Sequence, residues 1–77
     1  MRISVFGLGY VGAVTTGCLS SQGHSVVGVD VSMQKVEAVN RGESPIIEPG
    51  LAEMLAQGCA QGRVRATTDV QDAISST

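Results

Sequence analysis

The chain has 77 residues, 43% of them hydrophobic and 16% charged, with a formal net charge of −2. A chain of this length forms one small domain, and its apolar content excludes a disordered tail. The five Lys and Arg residues are scattered, so nucleic acid is not an expected partner, and no apolar run approaches the roughly 18 residues that span a membrane. The two cysteines, Cys18 and Cys59, have neither zinc nor redox spacing, which predicts a reducing cytoplasm and no metal site.

The first part of the chain alternates between β and helical patterns. Residues 2–6 are a β-rich run without a polar break, which predicts a strand buried on both faces. A helical stretch covers residues 11–22, and Gly23 stands where a left-handed cap would end it. The valine-rich residues 25–29 predict a second strand, which ends at Asp30.

The middle of the chain predicts two helices joined by a loop. The first helix is expected over residues 33–40, with Ser32 as its N-cap and apolar residues at helical spacing. Both prolines fall within residues 43–50, which are therefore predicted to be a loop. The second helix is expected over residues 51–56, where Gly58 would mark its end.

The last part of the chain predicts a strand at residues 64–67 and a helix at residues 69–75, for which Thr68 and Gln71 form a capping box. Strands separated by helices imply right-handed crossovers and a parallel sheet. The expected fold class is therefore α/β: the first half of a doubly wound parallel sheet of order 3-2-1, truncated before the fourth strand that would lie beside the first. Residues 1–77 are accordingly expected to be the N-terminal part of a larger protein.

The turn after the first strand carries Gly7, Gly9 and Gly12 in the spacing of a dinucleotide-binding Rossmann fingerprint. In that fingerprint the first glycine permits the tight turn, the second lets the backbone approach a pyrophosphate, and the third lets the helix pack closely on the sheet. The N–H groups that open the helix would face the phosphates, assisted by the helix dipole. The alternative is a tight strand-to-helix turn that binds no ligand.

Asp30 follows the second strand, where the fingerprint has an acid. Its carboxylate can accept both hydroxyls of an adenine ribose and would repel a 2′-phosphate, because like charges 4 Å apart cost about 4 kcal/mol at a partly exposed site. No arginine follows nearby, so NAD is the expected cofactor rather than NADP. The alternative for Asp30 is a turn residue or a helix cap.

Four features together resemble the nucleotide-sugar 6-dehydrogenase family, which includes UDP-glucose and GDP-mannose dehydrogenases. They are the turn GLGYVG at residues 7–12, the pair Val29-Asp30, Lys35, and the loop SPIIEPGL at residues 44–51. The resemblance covers nearly the whole chain. It is greater to the GDP-mannose branch of alginate-producing bacteria, because UDP-glucose enzymes more often carry Tyr where this chain has Ile47.

The resemblance implies NAD as the cofactor, a nucleotide sugar as the substrate, and a homo-oligomer as the full-length enzyme. It places Tyr10 and Val11 against the cofactor's phosphates, Asp30 against the ribose, and Lys35 toward the adenine-ribose side. From the residue pattern alone, Lys35 is a solvated helix residue. For Glu48 a structural role is expected, because it precedes Pro49, which suits the first turn of a helix.

The family reaction oxidises the C6 alcohol of the sugar to an aldehyde and then, through a cysteine thiohemiacetal and a thioester, to the acid. Two NAD molecules each accept a hydride. The family's cysteine motif lies beyond residue 77, and neither Cys18 nor Cys59 matches it, so no catalytic residue is predicted and the chain alone is expected to be inactive. Cys18 is instead expected to be a small core residue.

Three other functions share parts of this pattern. Within the family, the substrate could be UDP-glucose. A nucleotide-sensing Rossmann module, as attached to potassium channels, has the same turn, strand and acid, but the loop at residues 47–51 does not belong to it. The same loop argues, less strongly, against other NAD enzymes such as hydroxyacyl or phosphogluconate dehydrogenases.

Overall fold

The structure is a computed structural model that describes all 77 residues. Its elements, in chain order, are β1 (Arg2–Phe6), α1 (Tyr10–Ser21), β2 (Ser25–Val29), α2 (Met33–Asn40), α3 (Leu51–Ala60), β3 (Val64–Thr67) and α4 (Val70–Ser76). The strands form one parallel sheet of order β1-β2-β3, so the predicted α/β class and 3-2-1 order are confirmed. None of the helices has the length and apolar character that crossing a bilayer requires.

Helices cover both faces of the sheet, as in a doubly wound fold. On one face, side chains from the first turn, α1, α2, α3 and β3 form the larger core cluster: Leu8, Ala13, Val36, Val39, Leu51, Leu55, Val64 and Ala66. On the other face, Ala73 of α4 packs on Val27 and Val29 of β2. The middle strand β2 is therefore buried on both faces.

The expectation that β1 is buried on both faces is wrong. Its three central residues are half-buried and its two ends are exposed. The reason is its position, because β1 is an outer strand that is hydrogen-bonded only to β2. An apolar run predicts a strand, but the neighbours of that strand decide how far it is buried.

The helix α3 continues beyond its predicted end, through Gly58 to Ala60. Gly58 does not end the helix, because it is buried where α3 passes close to α1 and β3. A Cβ atom at this position would lie 2.5 Å from Val64 Cγ2 and 3.0 Å from Ser20 Oγ. This glycine therefore permits close packing of a helix that continues through it.

The predicted cap of the last helix is also wrong by one residue. Asp69, and not Thr68, is the N-cap of α4, and its Oδ1 accepts hydrogen bonds from the N–H groups of Gln71 and Asp72 at 2.9 and 3.3 Å. A carboxylate at this position also complements the positive end of the helix dipole. A capping-box pattern alone could not distinguish two adjacent capping residues.

The side chain of Asn40, at the end of α2, pairs with the outer edge of β3. Its Nδ2 donates to the Ala66 carbonyl at 2.9 Å, and its Oδ1 accepts from the Ala66 N–H at 2.8 Å. We expect Asn40→Ala to lower the free energy of unfolding by about 1–2 kcal/mol, because both backbone groups lose their partners. Urea denaturation measures this loss, with the exposed Gln57→Ala as the control that should change stability by less than about 0.5 kcal/mol. Equal stability of the two variants would contradict the role of the Asn40 amide.

Candidate dinucleotide-binding site

The turn between β1 and α1 is held against the end of β2 by hydrogen bonds that its backbone N–H groups donate. The Gly7 N–H donates to the Val29 carbonyl at 2.7 Å, and the Leu8 N–H donates to Asp30 Oδ2, also at 2.7 Å. Gly7 has a φ of +94°, in the region that favours glycine, as the prediction of a tight turn requires. The sequence therefore places the glycine turn and the acid side by side, as the fingerprint predicts.

Asp30 is half-buried and uses both carboxylate oxygens. Its Oδ1 accepts a second backbone hydrogen bond, from the Ser32 N–H, at 2.8 Å. The hydrogen bond from Leu8, followed by that from Ser32, holds the pKa of the Asp30 carboxyl below its ordinary value, because N–H donors favour the charged form. Each carboxylate oxygen has a second lone pair, so the group can still accept two ribose hydroxyls.

The first turn of α1 presents backbone donors without partners. Gly9 is the N-cap, no side chain caps the helix, and no acidic residue lies in the first turn. The N–H groups of Tyr10, Val11 and Gly12 donate to no acceptor in the chain. Together with the helix dipole, these groups fit a phosphate-sized anion. The space beside Gly9 is open, since a Cβ there would meet no atom within 4 Å.

Gly12 permits a close approach that differs from the predicted one. The sequence predicts that Gly12 allows the helix to pack on the sheet, but the tightest contact is with the turn itself. A Cβ at Gly12 would lie 1.6 Å from the Gly7 carbonyl oxygen, whereas Val5 Cγ1 of β1 would be 3.6 Å away. The third glycine of the motif therefore lets α1 begin directly against the backbone of the first.

Tyr10 and Val11 open α1 with exposed side chains, 59% and 75% accessible. The negative charge of Glu48, in the loop before α3, raises the pKa of the Tyr10 phenol. The predicted loop at residues 43–50 is confirmed, because α3 begins at Leu51 with Gly50 as its N-cap, and Pro49 precedes the first turn of the helix. Glu48 thus belongs to the loop, where it lies close enough to α1 for its charge to act on Tyr10.

Lys35 lies in the first turn of α2, at the carboxyl end of the strands, where Asp30 also lies. Its N–H donates to the N-cap Ser32 Oγ at 3.4 Å, and its positive charge is a smaller contribution to the lowered pKa of Asp30. A cavity of about 290 Å³ opens beside it, lined by Ser32, Gln34, Lys35, Ala38, Ser44 and Pro45. Lys35 is therefore half-buried beside a polar cavity, rather than a fully solvated residue. The other cavity, about 140 Å³, is lined by residues at the opposite ends of the strands, among them Arg2 and Arg63.

The cysteines do not form part of this site. Cys18 is exposed on α1, so its expected place in the core is wrong. Cys59 is half-buried, its Sγ donates to the Val39 carbonyl at 2.9 Å, and burial raises the pKa of its thiol. A raised pKa disfavours the thiolate that a nucleophile needs. The chain contains no group of three or more His, Cys, Asp or Glu residues arranged to hold a metal ion.

Two residues at the site were missed by the sequence reasoning. Leu8, between the first two glycines, is fully buried, and it lies over Gly28 of β2, where a Cβ would be 2.7 Å from Leu8 Cδ2. A glycine inside a valine-rich strand is a signal of such a close approach. The sequence does not say which residue makes that approach, since Leu8 and Gly28 are on different elements.

Comparison with known proteins agrees with this geometry. All 77 residues match the NAD binding domain of the UDP-glucose/GDP-mannose dehydrogenase family. The chain is 61% identical over 77 residues to GDP-mannose 6-dehydrogenase of Azotobacter vinelandii and 41% identical over 75 residues to UDP-glucose 6-dehydrogenase of Rhizobium meliloti. These alignments cover 100% and 97% of this chain, but 18% and 17% of the relatives.

A solved structure shows the same fold. The crystal structure of a ternary complex of GDP-mannose dehydrogenase from Pseudomonas aeruginosa matches with a TM-score of 0.98 and 57% sequence identity. The match covers 100% of this chain and 18% of that chain. The chain thus spans less than a fifth of the length of the relatives it matches. Because the match to the family's NAD binding domain extends over every residue, the chain belongs to the UDP-glucose/GDP-mannose dehydrogenase family.

Proposed function

We propose that residues 1–77 are the N-terminal part of the Rossmann domain of a nucleotide-sugar 6-dehydrogenase and hold the adenosine and pyrophosphate portion of NAD. The observation that carries this proposal is the unpaired first turn of α1 beside the carboxylate of Asp30. The N–H groups suit an anion and the carboxylate suits a diol. NAD carries both, as its pyrophosphate and its ribose hydroxyls. The proposed binding residues are Gly7, Gly9, Tyr10, Val11, Gly12, Asp30 and Lys35.

Each part of the site has a distinct task in this proposal. The N–H groups of α1 bind the pyrophosphate, and Gly9 leaves room for it. Asp30 accepts the two ribose hydroxyls and disfavours NADP, because its negative charge repels a 2′-phosphate. Lys35, on the same edge of the sheet, contacts the adenine-ribose side. When bound, NAD supplies the hydride acceptor for oxidation of the sugar alcohol.

The proposed substrate of the whole enzyme is GDP-mannose, oxidised to GDP-mannuronate with two NAD as a precursor of alginate. The support is the higher identity to a GDP-mannose 6-dehydrogenase, 61% against 41% for a UDP-glucose 6-dehydrogenase. The enzyme is proposed to act in the cytoplasm, consistent with the two free cysteines, and to assemble as a homo-oligomer. The 77 residues alone are proposed to bind NAD without oxidising a sugar nucleotide.

Two measurements test these proposals separately. Isothermal titration calorimetry of the 77-residue chain should show binding of NAD that is at least about tenfold tighter than binding of NADP. Absence of NAD binding by a chain whose circular dichroism shows the folded state would contradict the assignment of the site.

The second measurement uses the gene product that contains this chain. With NAD and GDP-mannose, it should form two NADH per sugar nucleotide. With NAD and UDP-glucose, it should form none. The absorbance of NADH measures both. The opposite preference would replace GDP-mannose by UDP-glucose. Binding of NAD without turnover of either substrate would favour a nucleotide-sensing module.

A further inference from the structure

Leu8 is the apolar residue of the turn that is proposed to bind the cofactor. It lies between Gly7 and Gly9, on the segment proposed to approach the pyrophosphate, yet its side chain is fully buried in the larger core cluster. Connecting segments usually run over the surface of a protein. The turn is therefore anchored by a side chain as well as by its backbone.

The space for that anchor comes from β2. A Cβ at Gly28 would lie 2.7 Å from Leu8 Cδ2 and 3.4 Å from both Leu8 Cδ1 and Cγ. The other interior positions of the strand carry valine, and its backbone at Gly28 pairs normally with Val5 and Ala66. The space that a side chain at residue 28 would occupy is thus filled by Leu8 of the turn.

Residues 28–30, which are the last two residues of β2 and the residue after it, hold Gly7 and Leu8 of the turn. Gly28 accommodates the Leu8 side chain, the Val29 carbonyl accepts the Gly7 N–H, and Asp30 accepts the Leu8 N–H. The side chain and the N–H of Leu8 are held by residues two apart in sequence, Gly28 within β2 and Asp30 directly after it. Because Leu8 is fully buried, its side chain has little room to move away from Gly28 without also moving the backbone that donates to Asp30.

We propose that Leu8 and Gly28 are positioning residues for NAD: their packing keeps the Leu8 N–H on Asp30 and so fixes the pyrophosphate turn relative to the ribose acid. This inference rests on the proposed function, because it concerns the same site. Neither residue contacts the cofactor through its side chain in this arrangement. Their effect on binding passes through the turn and the carboxylate.

The test substitutes the strand residue. Gly28→Ala adds a methyl group that the tip of Leu8 must avoid, so the Leu8 amide should be displaced from Asp30. We expect NAD affinity, measured by calorimetry on the 77-residue chain, to fall about tenfold, which corresponds to the loss of one hydrogen bond in a preorganised site. In the same variant, without NAD, hydrogen exchange of the Leu8 amide should become faster and the Asp30 pKa, followed by carboxyl ¹³C NMR, should rise.

The matched control is Gly58→Ala. Its added Cβ would also meet a core side chain, Val64 Cγ2 at 2.5 Å, but in the contact between α3 and β3 rather than under the turn. We expect a lower melting temperature, with NAD affinity and the Leu8 amide unchanged. If Gly58→Ala loses as much NAD affinity as Gly28→Ala, the loss in both variants is explained by general destabilisation, and the inference is overturned.

A compensating variant gives a second test. Leu8→Val removes the Cδ atoms that the new methyl group would meet, so Gly28→Ala with Leu8→Val should recover most of the NAD affinity that Gly28→Ala alone loses. If Gly28→Ala does not fold, Leu8→Ala loosens the same contact from the other side and should also speed exchange at residue 8. Unchanged exchange at residue 8 in the folded variants would overturn the inference, whereas absence of NAD binding by the wild-type chain would refute the proposed function alone.

Discussion

Gly12→Ala is expected to destabilise the chain more than any other single methyl addition in the dinucleotide motif. The new Cβ would lie 1.6 Å from the Gly7 carbonyl oxygen, and both atoms are fixed by backbone geometry. No side-chain rotation can relieve this overlap, so α1 must move away from the turn. We expect a loss on the order of 4 kcal/mol in the free energy of unfolding, which is most of the stability of a small domain. Thermal denaturation followed by circular dichroism measures it.

Gly9→Ala is the control within the same motif. A Cβ at Gly9 would meet no atom within 4 Å, and its φ of −72° is accessible to alanine. We expect Gly9→Ala to change the melting temperature by only a few degrees, but to weaken NAD binding at least about tenfold, because the methyl group occupies the space proposed for the pyrophosphate. Wild-type stability of Gly12→Ala, or wild-type NAD affinity of a folded Gly9→Ala, would show that the assigned roles are wrong.

The contrast between these glycines shows how far the sequence alone could lead. Glycine spacing and an acid after the second strand predict the turn, the sheet order and the positions of Gly7 and Asp30, because these follow from local conformation and chain order. The contact between Gly12 and the Gly7 carbonyl depends on how α1 leaves the turn. The motif indicates that a glycine is needed there, and the structure gives the atom that requires it.

The errors have a common physical origin. The placement of Gly58 inside α3 and of Leu8 over Gly28 depends on which elements face each other, and a pattern along one element does not contain that information. The same holds for Cys18, which lies on the exposed side of α1. The half-buried state of β1 reflects its single neighbouring strand. Local signals are therefore reliable for elements and turns, and weaker for contacts between them.

Asp30→Asn is expected to have the largest effect on cofactor binding. An amide has one acceptor oxygen in place of two, so one of the N–H groups of Leu8 and Ser32 would face an NH₂ group. Leaving a buried donor unpaired costs about 1–3 kcal/mol of stability. The loss of the charged acceptor for two ribose hydroxyls should lower NAD affinity about a hundredfold, measured by calorimetry, and should abolish the preference for NAD over NADP.

Asp69→Asn provides the matched control for this substitution. Asp69 also accepts two backbone N–H groups through its carboxylate, but it does so at the N-terminus of α4, on an exposed residue. Asparagine caps helices about as well as aspartate, so stability should change little and NAD affinity should not change. An equal loss of NAD affinity in both variants would contradict the proposal that Asp30 binds the ribose.

The acid dependence of stability tests Asp30 without any ligand. Because Leu8 and Ser32 hold its folded-state pKa below the ordinary value of 3.8, the carboxylate stabilises the folded chain at every pH above that value. This stabilisation is lost as the pH falls below about 4 and through the folded-state pKa. Asp72, whose pKa is lowered by the Arg65 guanidinium 2.8 Å away, contributes in the same direction.

We therefore expect the free energy of unfolding, measured in urea, to be steady near neutral pH and to fall below about pH 4. Asp30→Asn should remove one part of that fall and Asp72→Asn the other, while only the first should also weaken NAD binding. The two losses are expected to add, because the carboxylates hydrogen-bond to different partners, Asp30 to Leu8 and Ser32, and Asp72 to Arg65. An acid profile that Asp30→Asn leaves unchanged would mean that the bond from Leu8 to Asp30 does not form in solution.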